Sequence, residues 1–162
     1  MPIFRILSIA AFIFAIDRGL KFWVVEAMDL RHLDRIEVWP PYLNLHMAWN
    51  EGINFGLFGS GSEVTRWVLV GIGLAISLGL LIWFRKATKF WLQVSVGLVV
   101  GGALGNIYDR LSYGAVADFL NMSCCGIINP YAFNIADVSI FLGAVGFLFI
   151  DVRQTQKKRK RK

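Results

Sequence analysis

Residues 67–84, WVLVGIGLAISLGLLIWF, hold no charged side chain over 18 positions and are followed at once by Arg85 and Lys86. About 20 apolar residues in a helix are enough to cross the hydrocarbon core of a bilayer. A second uncharged run covers residues 90–108 and ends at Asp109 and Arg110. The two runs therefore predict two transmembrane helices joined by a short basic turn.

The composition also indicates a membrane protein. Of 162 residues, 56% are hydrophobic and only 17% are charged, which lies outside the usual range of soluble domains. The net charge of +6 comes from KKRKRK at residues 157–162, because the rest of the chain holds 11 basic and 11 acidic residues. A basic tail after an apolar segment is typical of the cytoplasmic side, so we expect membrane lipids as partners and no nucleic acid.

Two further spans are predicted at about residues 4–25 and 133–151. Asp17, Arg18 and Lys21 interrupt the first one and no small-residue cleavage site follows, which favours a retained helix over a signal peptide. The predicted fold is an all-α membrane protein with four transmembrane helices. Residues 1–152 then form one membrane domain, and residues 153–162 form a basic cytoplasmic tail.

The distribution of basic residues predicts the topology. Arg5, the turn at 85–89 and the tail fall on one side, so the positive-inside rule makes both termini cytoplasmic. The loops at roughly 27–65 and 109–133 then face outward. In the first loop, YLNLHMAWN at 42–50 alternates apolar and polar residues, which predicts a small extracytoplasmic β-element on the membrane surface.

Polar residues crowd the outer ends of the predicted helices. Asn106, Asp109 and Arg110 are three and four positions apart and share one helical face. Other members of this group lie in the outer loops and at the start of the last span: Asn50, Asp118, Asn134 and Asp137. Charges at membrane depth are costly unless they are paired or functional, so the group is a candidate active site.

Each part of the group also has a purely structural interpretation. Asn134 and Asp137 are spaced to cap the start of the last helix. Asp109 with Arg110 fits a snorkelling pair at the membrane interface. Asp17 and Lys21, four residues apart, fit a helical ion pair.

Two aspartates in one apolar pocket share a proton, because both cannot easily be charged together. The ionised one can activate water while the other donates a proton to a scissile carbonyl, and nearby amides and an arginine can bind the substrate and the oxyanion. No Gly-x-Ser-x-Gly motif and no serine and lysine motif are found, and His32 and His46 lack metal-ligand spacing. We therefore expect no metal and no cofactor.

The sequence resembles the lipoprotein signal peptidases, that is, signal peptidase II of bacteria. The matching blocks span nearly the whole chain: DRGLK at 17–21, NEGINFGLF at 50–58, GGALGNIYDRLSYGAVADF at 101–119 and FNIADVSIFLGA at 133–144.

The resemblance implies a four-helix aspartic endopeptidase of the bacterial cytoplasmic (inner) membrane that is inhibited by globomycin. Its substrates would be diacylglyceryl-modified prolipoproteins, cut before the lipidated cysteine at the outer face. Asp118 and Asp137 would be the catalytic dyad and Asp17 with Lys21 a supporting pair. Substrate-binding or bracing roles would fall to Asn50, Gly52, Asn106, Asp109, Arg110 and Asn134. We expect a monomer.

Two other classes of function remain open at this point. A small proton- or solute-coupled transport protein also needs intramembrane acids, but it predicts acids spread through the bilayer depth. A non-catalytic assembly or anchoring subunit predicts that the two aspartates can be replaced by asparagine without loss of activity.

Overall fold

The computed structural model describes residues 2–52, 63–124 and 129–159, with side chains up to residue 150. Residues 53–58 of the second family-like block and the side chains of the basic tail lie outside the described residues. The helices are α1 (Pro2–Lys21), α2 (Leu30–Leu33), α3 (Glu63–Phe84), α4 (Phe90–Tyr113) and α5 (Ile135–Arg159). A π-helical segment, Phe22–Ala27, continues α1. The strands are β1 (Arg35–Trp39), β2 (Leu43–Asn50) and β3 (Val116–Met122).

Two of the predicted spans are confirmed as helices long and apolar enough to cross a membrane. They are α3 and α4. The apolar part of α5, Ile135–Ile150, is shorter, so α1 and α5 as spans stay predictions. α3 leaves bulky side chains such as Trp83, 82% exposed, and Ile82 uncovered by protein. A surface this apolar is expected to contact lipid.

Helix α4 is the centre of the helical part and packs against α1, α3 and α5. A Cβ atom at Gly97 would lie 2.6 Å from Ile9 Cγ2, and one at Gly101 would lie 2.6 Å from the backbone oxygen of Ala10. The backbones of α1 and α4 therefore approach closely, as small residues allow between helices in membranes. This contact fixes the height of α1 relative to α4.

The strands form one antiparallel sheet in the order β1, β2, β3. The strand predicted within residues 42–50 is confirmed as β2. Its side chains Leu45 and Met47 are buried with Val25 and Phe119 in a small core beside the π-helical segment. The sheet is larger than the β-element predicted from the first loop alone.

The prediction of a loop over residues 109–133 is wrong in its first half. Helix α4 continues past residue 108 to Tyr113 and ends at Gly114, whose φ of 83° suits glycine. Strand β3 follows immediately and pairs with β2 along Val116–Met122. The charge of Asp109 did not end the helix because Lys21 and Arg18 of α1 bind it.

The register of the sheet brings distant residues together. Asp118 lies opposite Ala48, and Asn50 lies opposite Val116, so Asn50 is a diagonal neighbour of Asp118. The backbone oxygen of Phe133 accepts hydrogen bonds from the amides of Phe119 and Leu120 at 3.1 and 2.8 Å. The start of α5 is therefore tied to β3 beside Asp118.

Candidate active site

Asn134 lies at the centre of the polar group and is fully buried. Its Nδ2 donates to Asp118 Oδ1 at 2.6 Å and to Asn106 Oδ1 at 3.2 Å. One amide thus connects β3, α4 and the start of α5. These three segments follow one another along the chain, and β2 joins them through Asn50. Five of the predicted polar residues therefore form one network: Asn50, Asn106, Asp118, Asn134 and Asp137.

Each of the two aspartates accepts two hydrogen bonds. Asp118 accepts from Asn134 on Oδ1 and from Asn50 Nδ2 on Oδ2 at 3.1 Å. Asp137 accepts from Asn106 Nδ2 on Oδ1 at 2.9 Å and from the backbone amide of Asn134 on Oδ2 at 3.2 Å. Within the described part of the chain every carboxylate oxygen has one donor, which leaves a second acceptor position on each for a proton or a water.

Gly52 holds Asn50 in place. The Gly52 amide donates to Asn50 Oδ1 at 3.0 Å, so the Nδ2 of Asn50 is left to face Asp118. The φ of Gly52 is 113°, and a Cβ atom there would lie 2.5 Å from Leu69 Cδ1. Any other residue would be both strained and crowded at this position.

The capping interpretation of Asn134 and Asp137 is also confirmed. The Asp137 amide donates to Asn134 Oδ1 at 2.9 Å, and the Asn134 amide donates back to Asp137 Oδ2. This is the reciprocal pattern of a capping box. The helix start and the candidate site use the same two side chains, so capping is no alternative to function here.

A second group of charges lies behind the aspartates, and three of its members, Asp17, Lys21 and Asp109, are fully buried. Lys21 Nζ is 2.9 Å from Asp17 Oδ2 and 2.6 Å from Asp109 Oδ2, and Arg18 forms an ion pair with the other oxygen of Asp109. The predicted Asp17 and Lys21 pair is confirmed. The snorkelling interpretation of Asp109 is wrong, because its side chain is 0% exposed and bound on both oxygens.

The buried charges support the backbone next to each aspartate. Asp109 Oδ2 accepts the amide of Ala117 at 3.2 Å, and Asp17 Oδ1 accepts the amide of Ala136 at 3.1 Å. Ala117 precedes Asp118 and Ala136 precedes Asp137. The sequence did not predict that Asp17 and Asp109 bind these backbone amides, and it did not predict a site role for Arg18. The sequence showed Arg18 only as one of the charges that interrupt the apolar first helix.

Comparison with known proteins identifies the family. The family model described as signal peptidase (SPase) II matches residues 9–153. The chain belongs to the signal peptidase II family. It is 39% identical over 139 residues to the lipoprotein signal peptidase of Methylorubrum extorquens (strain PA1), covering 86% of this chain and 80% of that one. It is 37% identical to that of Caulobacter vibrioides (strain ATCC 19089 / CIP 103742 / CB 15), covering 89% and 83%.

A solved structure of a bacterial membrane enzyme has the same fold. It was obtained by the in meso method at 2.3 Å resolution, and it superimposes with a TM-score of 0.78 at 30% identity. The match covers 94% of this chain and 90% of the other. The chain is thus a mostly helical protein, with a three-stranded sheet, that resembles membrane enzymes.

The candidate dyad of this signal peptidase II family member lies in a strongly perturbed environment. Burial, and to a smaller extent the charge of Asp137, raise the pKa of Asp118 to about 6, against the opposing effect of hydrogen bonds from Asn50 and Asn134. A carboxyl group that changes protonation near neutral pH is suited to acid and base chemistry.

Arg110 provides a positive charge at the same place. Its guanidinium interacts electrostatically with Asp118, Asp137 and Asp109, and its Nη1 donates to the backbone oxygen of Asn106 at 3.4 Å. Its buried Nε has no hydrogen-bond partner within residues 2–52, 63–124 and 129–159. One donor is therefore available for a bound molecule.

Proposed function

We propose that this chain is an aspartic endopeptidase that removes the signal peptide from diacylglyceryl-modified bacterial prolipoproteins, cutting before the lipidated cysteine. The observation that carries the proposal is the network in which Asn134 and Asn106 hold Asp118 and Asp137 together. The family supplies the peptidase class, and the relatives named above are lipoprotein signal peptidases. We do not retain the transport hypothesis.

The proposed mechanism needs one proton shared by the two aspartates. The ionised carboxylate takes a proton from water, whose oxygen attacks the carbonyl carbon, while the protonated carboxyl donates to the carbonyl oxygen. Collapse of the tetrahedral intermediate then breaks the carbon–nitrogen bond. The aspartate that took the proton from water gives it to the leaving nitrogen, and a hydroxyl group of the intermediate returns a proton to the other aspartate. The charge of Arg110 stabilises the partial negative charge that builds up on the carbonyl oxygen as water attacks.

The proposed placement follows the predicted topology. Residues 1–152 form one domain with four spans in the bacterial inner membrane, both termini are cytoplasmic, and the site lies at the outer face. Asp118 lies on β3, and Asp137 lies at the start of α5. Both are beside the C-terminal end of α4, whereas the basic turn at 85–89 precedes the N-terminal end of that helix. This arrangement agrees with a site at the outer face. We also propose a monomer that contacts membrane lipids through its basic tail, is sensitive to globomycin and needs no cofactor.

The lipid requirement tests the proposed substrate. The purified protein in detergent should cleave a peptide carrying an S-diacylglyceryl cysteine, and the new N-terminus should be that cysteine. The same peptide without lipid should be cleaved far more slowly, and globomycin should block the reaction. Equal cleavage of both peptides would contradict the substrate class, and cleavage at another bond would contradict the specificity.

The pH dependence should follow Asp118. The value of kcat/KM should fall as the pH rises through about 6, because Asp118 then loses the shared proton in the free enzyme. Asn50→Ala should move this fall to higher pH in the residual activity, since the hydrogen bond from Asn50 lowers the pKa of Asp118. His46→Ala, exposed on the same strand, is the matched control. An unchanged or lowered midpoint in Asn50→Ala would count against this assignment.

A further inference from the structure

An apolar groove with a volume of about 210 Å³ lies between α3, α4 and α5. Its walls are aliphatic except at one end, where it is lined by Asn106 and Arg110. Both of these residues contact or face the aspartates. The groove is therefore continuous with the candidate active site.

The groove runs along the helix axes. Its lining includes Leu69 and Ile76 on α3, and Val99 and Asn106 on α4. Each pair is seven residues apart, which corresponds to a rise of about 10 Å. A molecule anchored near Arg110 would thus lie in the groove parallel to the helices, which is the direction of an acyl chain in a bilayer.

The contact between α3 and α4 decides what kind of group fits. A Cβ atom at Gly73 would lie 3.0 Å from Ile107 Cδ1, so the two helices touch within the groove. A helix with its side chains is about 10–12 Å wide and cannot lie between them, whereas the groove is narrow and shallow. It is suited to a single unbranched hydrocarbon chain, whose methylenes gain free energy by contact with the aliphatic walls.

We propose that this groove binds one acyl chain of the substrate's diacylglyceryl group, with an ester carbonyl oxygen facing the free Nε donor of Arg110. The assignment rests on the proposed function, since the lipid is taken to be part of the substrate. Bound in this way, the chain holds the modified cysteine next to Asp118 and Asp137. The signal helix lies outside the groove.

Filling the groove tests the proposal. Ile76, 51% exposed, lines it, whereas Leu78, 57% exposed on the same helix, does not. Ile76→Trp should lower kcat/KM about tenfold for a substrate with sixteen-carbon acyl chains, by displacing about two methylenes. It should leave a substrate with six-carbon chains unaffected, because short chains do not reach Ile76. The matched control Leu78→Trp should keep the wild-type dependence on chain length.

The outcomes separate this proposal from the proposed function. If the wild type cleaves normally and Ile76→Trp and Leu78→Trp show the same dependence on chain length, the assignment of the groove is overturned. The proposed peptidase activity is not affected by that result. No cleavage by folded wild-type protein would overturn the peptidase itself.

A photolabelling measurement keeps the proposal testable even if Ile76→Trp does not fold. A substrate with a diazirine at the acyl terminus should label residues 69–76 or 99–107 of the wild-type protein, and excess phospholipid should not compete. A second apolar cavity of about 260 Å³ beside the sheet is lined by Trp23, Leu43 and Phe119. Labelling there, or labelling abolished by phospholipid, would overturn the assignment.

Discussion

Replacing Asp118 or Asp137 by asparagine is expected to lower single-turnover cleavage of a diacylated peptide by about 1,000-fold or more. Asparagine keeps the size of the side chain and an oxygen that accepts the hydrogen bond from Asn134 or Asn106. It cannot exchange a proton with water or with a carbonyl oxygen. The loss should therefore be in kcat. Thermal stability should fall only modestly, because each variant loses one of the two hydrogen bonds that its carboxylate accepts.

Asp34→Asn is the matched control, because Asp34 is an exposed carboxylate on the sheet side of the molecule and touches neither aspartate. It should retain wild-type activity. The anchoring hypothesis predicts the opposite pattern, in which Asp118→Asn and Asp137→Asn both support lipoprotein maturation in cells. Substantial cleavage by either purified variant would exclude a dyad mechanism.

Lys21→Met is expected to lower the free energy of unfolding by about 3–5 kcal/mol, because it leaves buried carboxylates without their shared cation. Asp17 and Asp109 both lie within 3 Å of Lys21 Nζ, and the Lys21 side chain is 0% exposed. The same carboxylates hold the amides before Asp118 and Asp137, so activity should fall as well. Unfolding can be followed by titration with a denaturing detergent in mixed micelles.

A second variant separates lost charge balance from lost packing. Lys21→Met combined with Asp17→Asn removes one charge of each sign and leaves Asp109 paired with Arg18. The double variant should be more stable than Lys21→Met alone, which is the non-additivity expected of a charge network. Lys86→Met, exposed in the basic turn, should change stability by no more than about 0.5 kcal/mol. A double variant as unstable as the single one would point to packing instead.

The sequence predicted the helical segments well because long apolar runs have few alternatives to membrane helices. The runs at 67–84 and 90–108 lie within α3 and α4, and strand periodicity found β2. The end of α4 was predicted five residues early, since the charges of Asp109 and Arg110 looked like a helix boundary. Asp109 is paired with Lys21 and Arg18, which lie about 90 positions away, and no local pattern reports such a pairing.

The third strand was missed for a related reason. Val116–Met122 contains an aspartate and an asparagine, both buried, so its composition does not alternate between apolar and polar residues. It becomes a strand because β2 offers its backbone edge, and the bridge to Phe133 covers the other side. Asp118 is thereby fixed on a sheet instead of a loop.

The sequence by itself determined the membrane character, the family-like blocks and the residue types of the candidate site. Hydropathy and motif spacing are local properties, and they can be read without a fold. Only the tertiary structure decided that Asn134 binds Asp118 while it caps the helix of Asp137, and that Asp17 and Asp109 hold the preceding amides. Hydrogen bonds and desolvation act over a few ångströms, so they are set by how the helices and the sheet pack together.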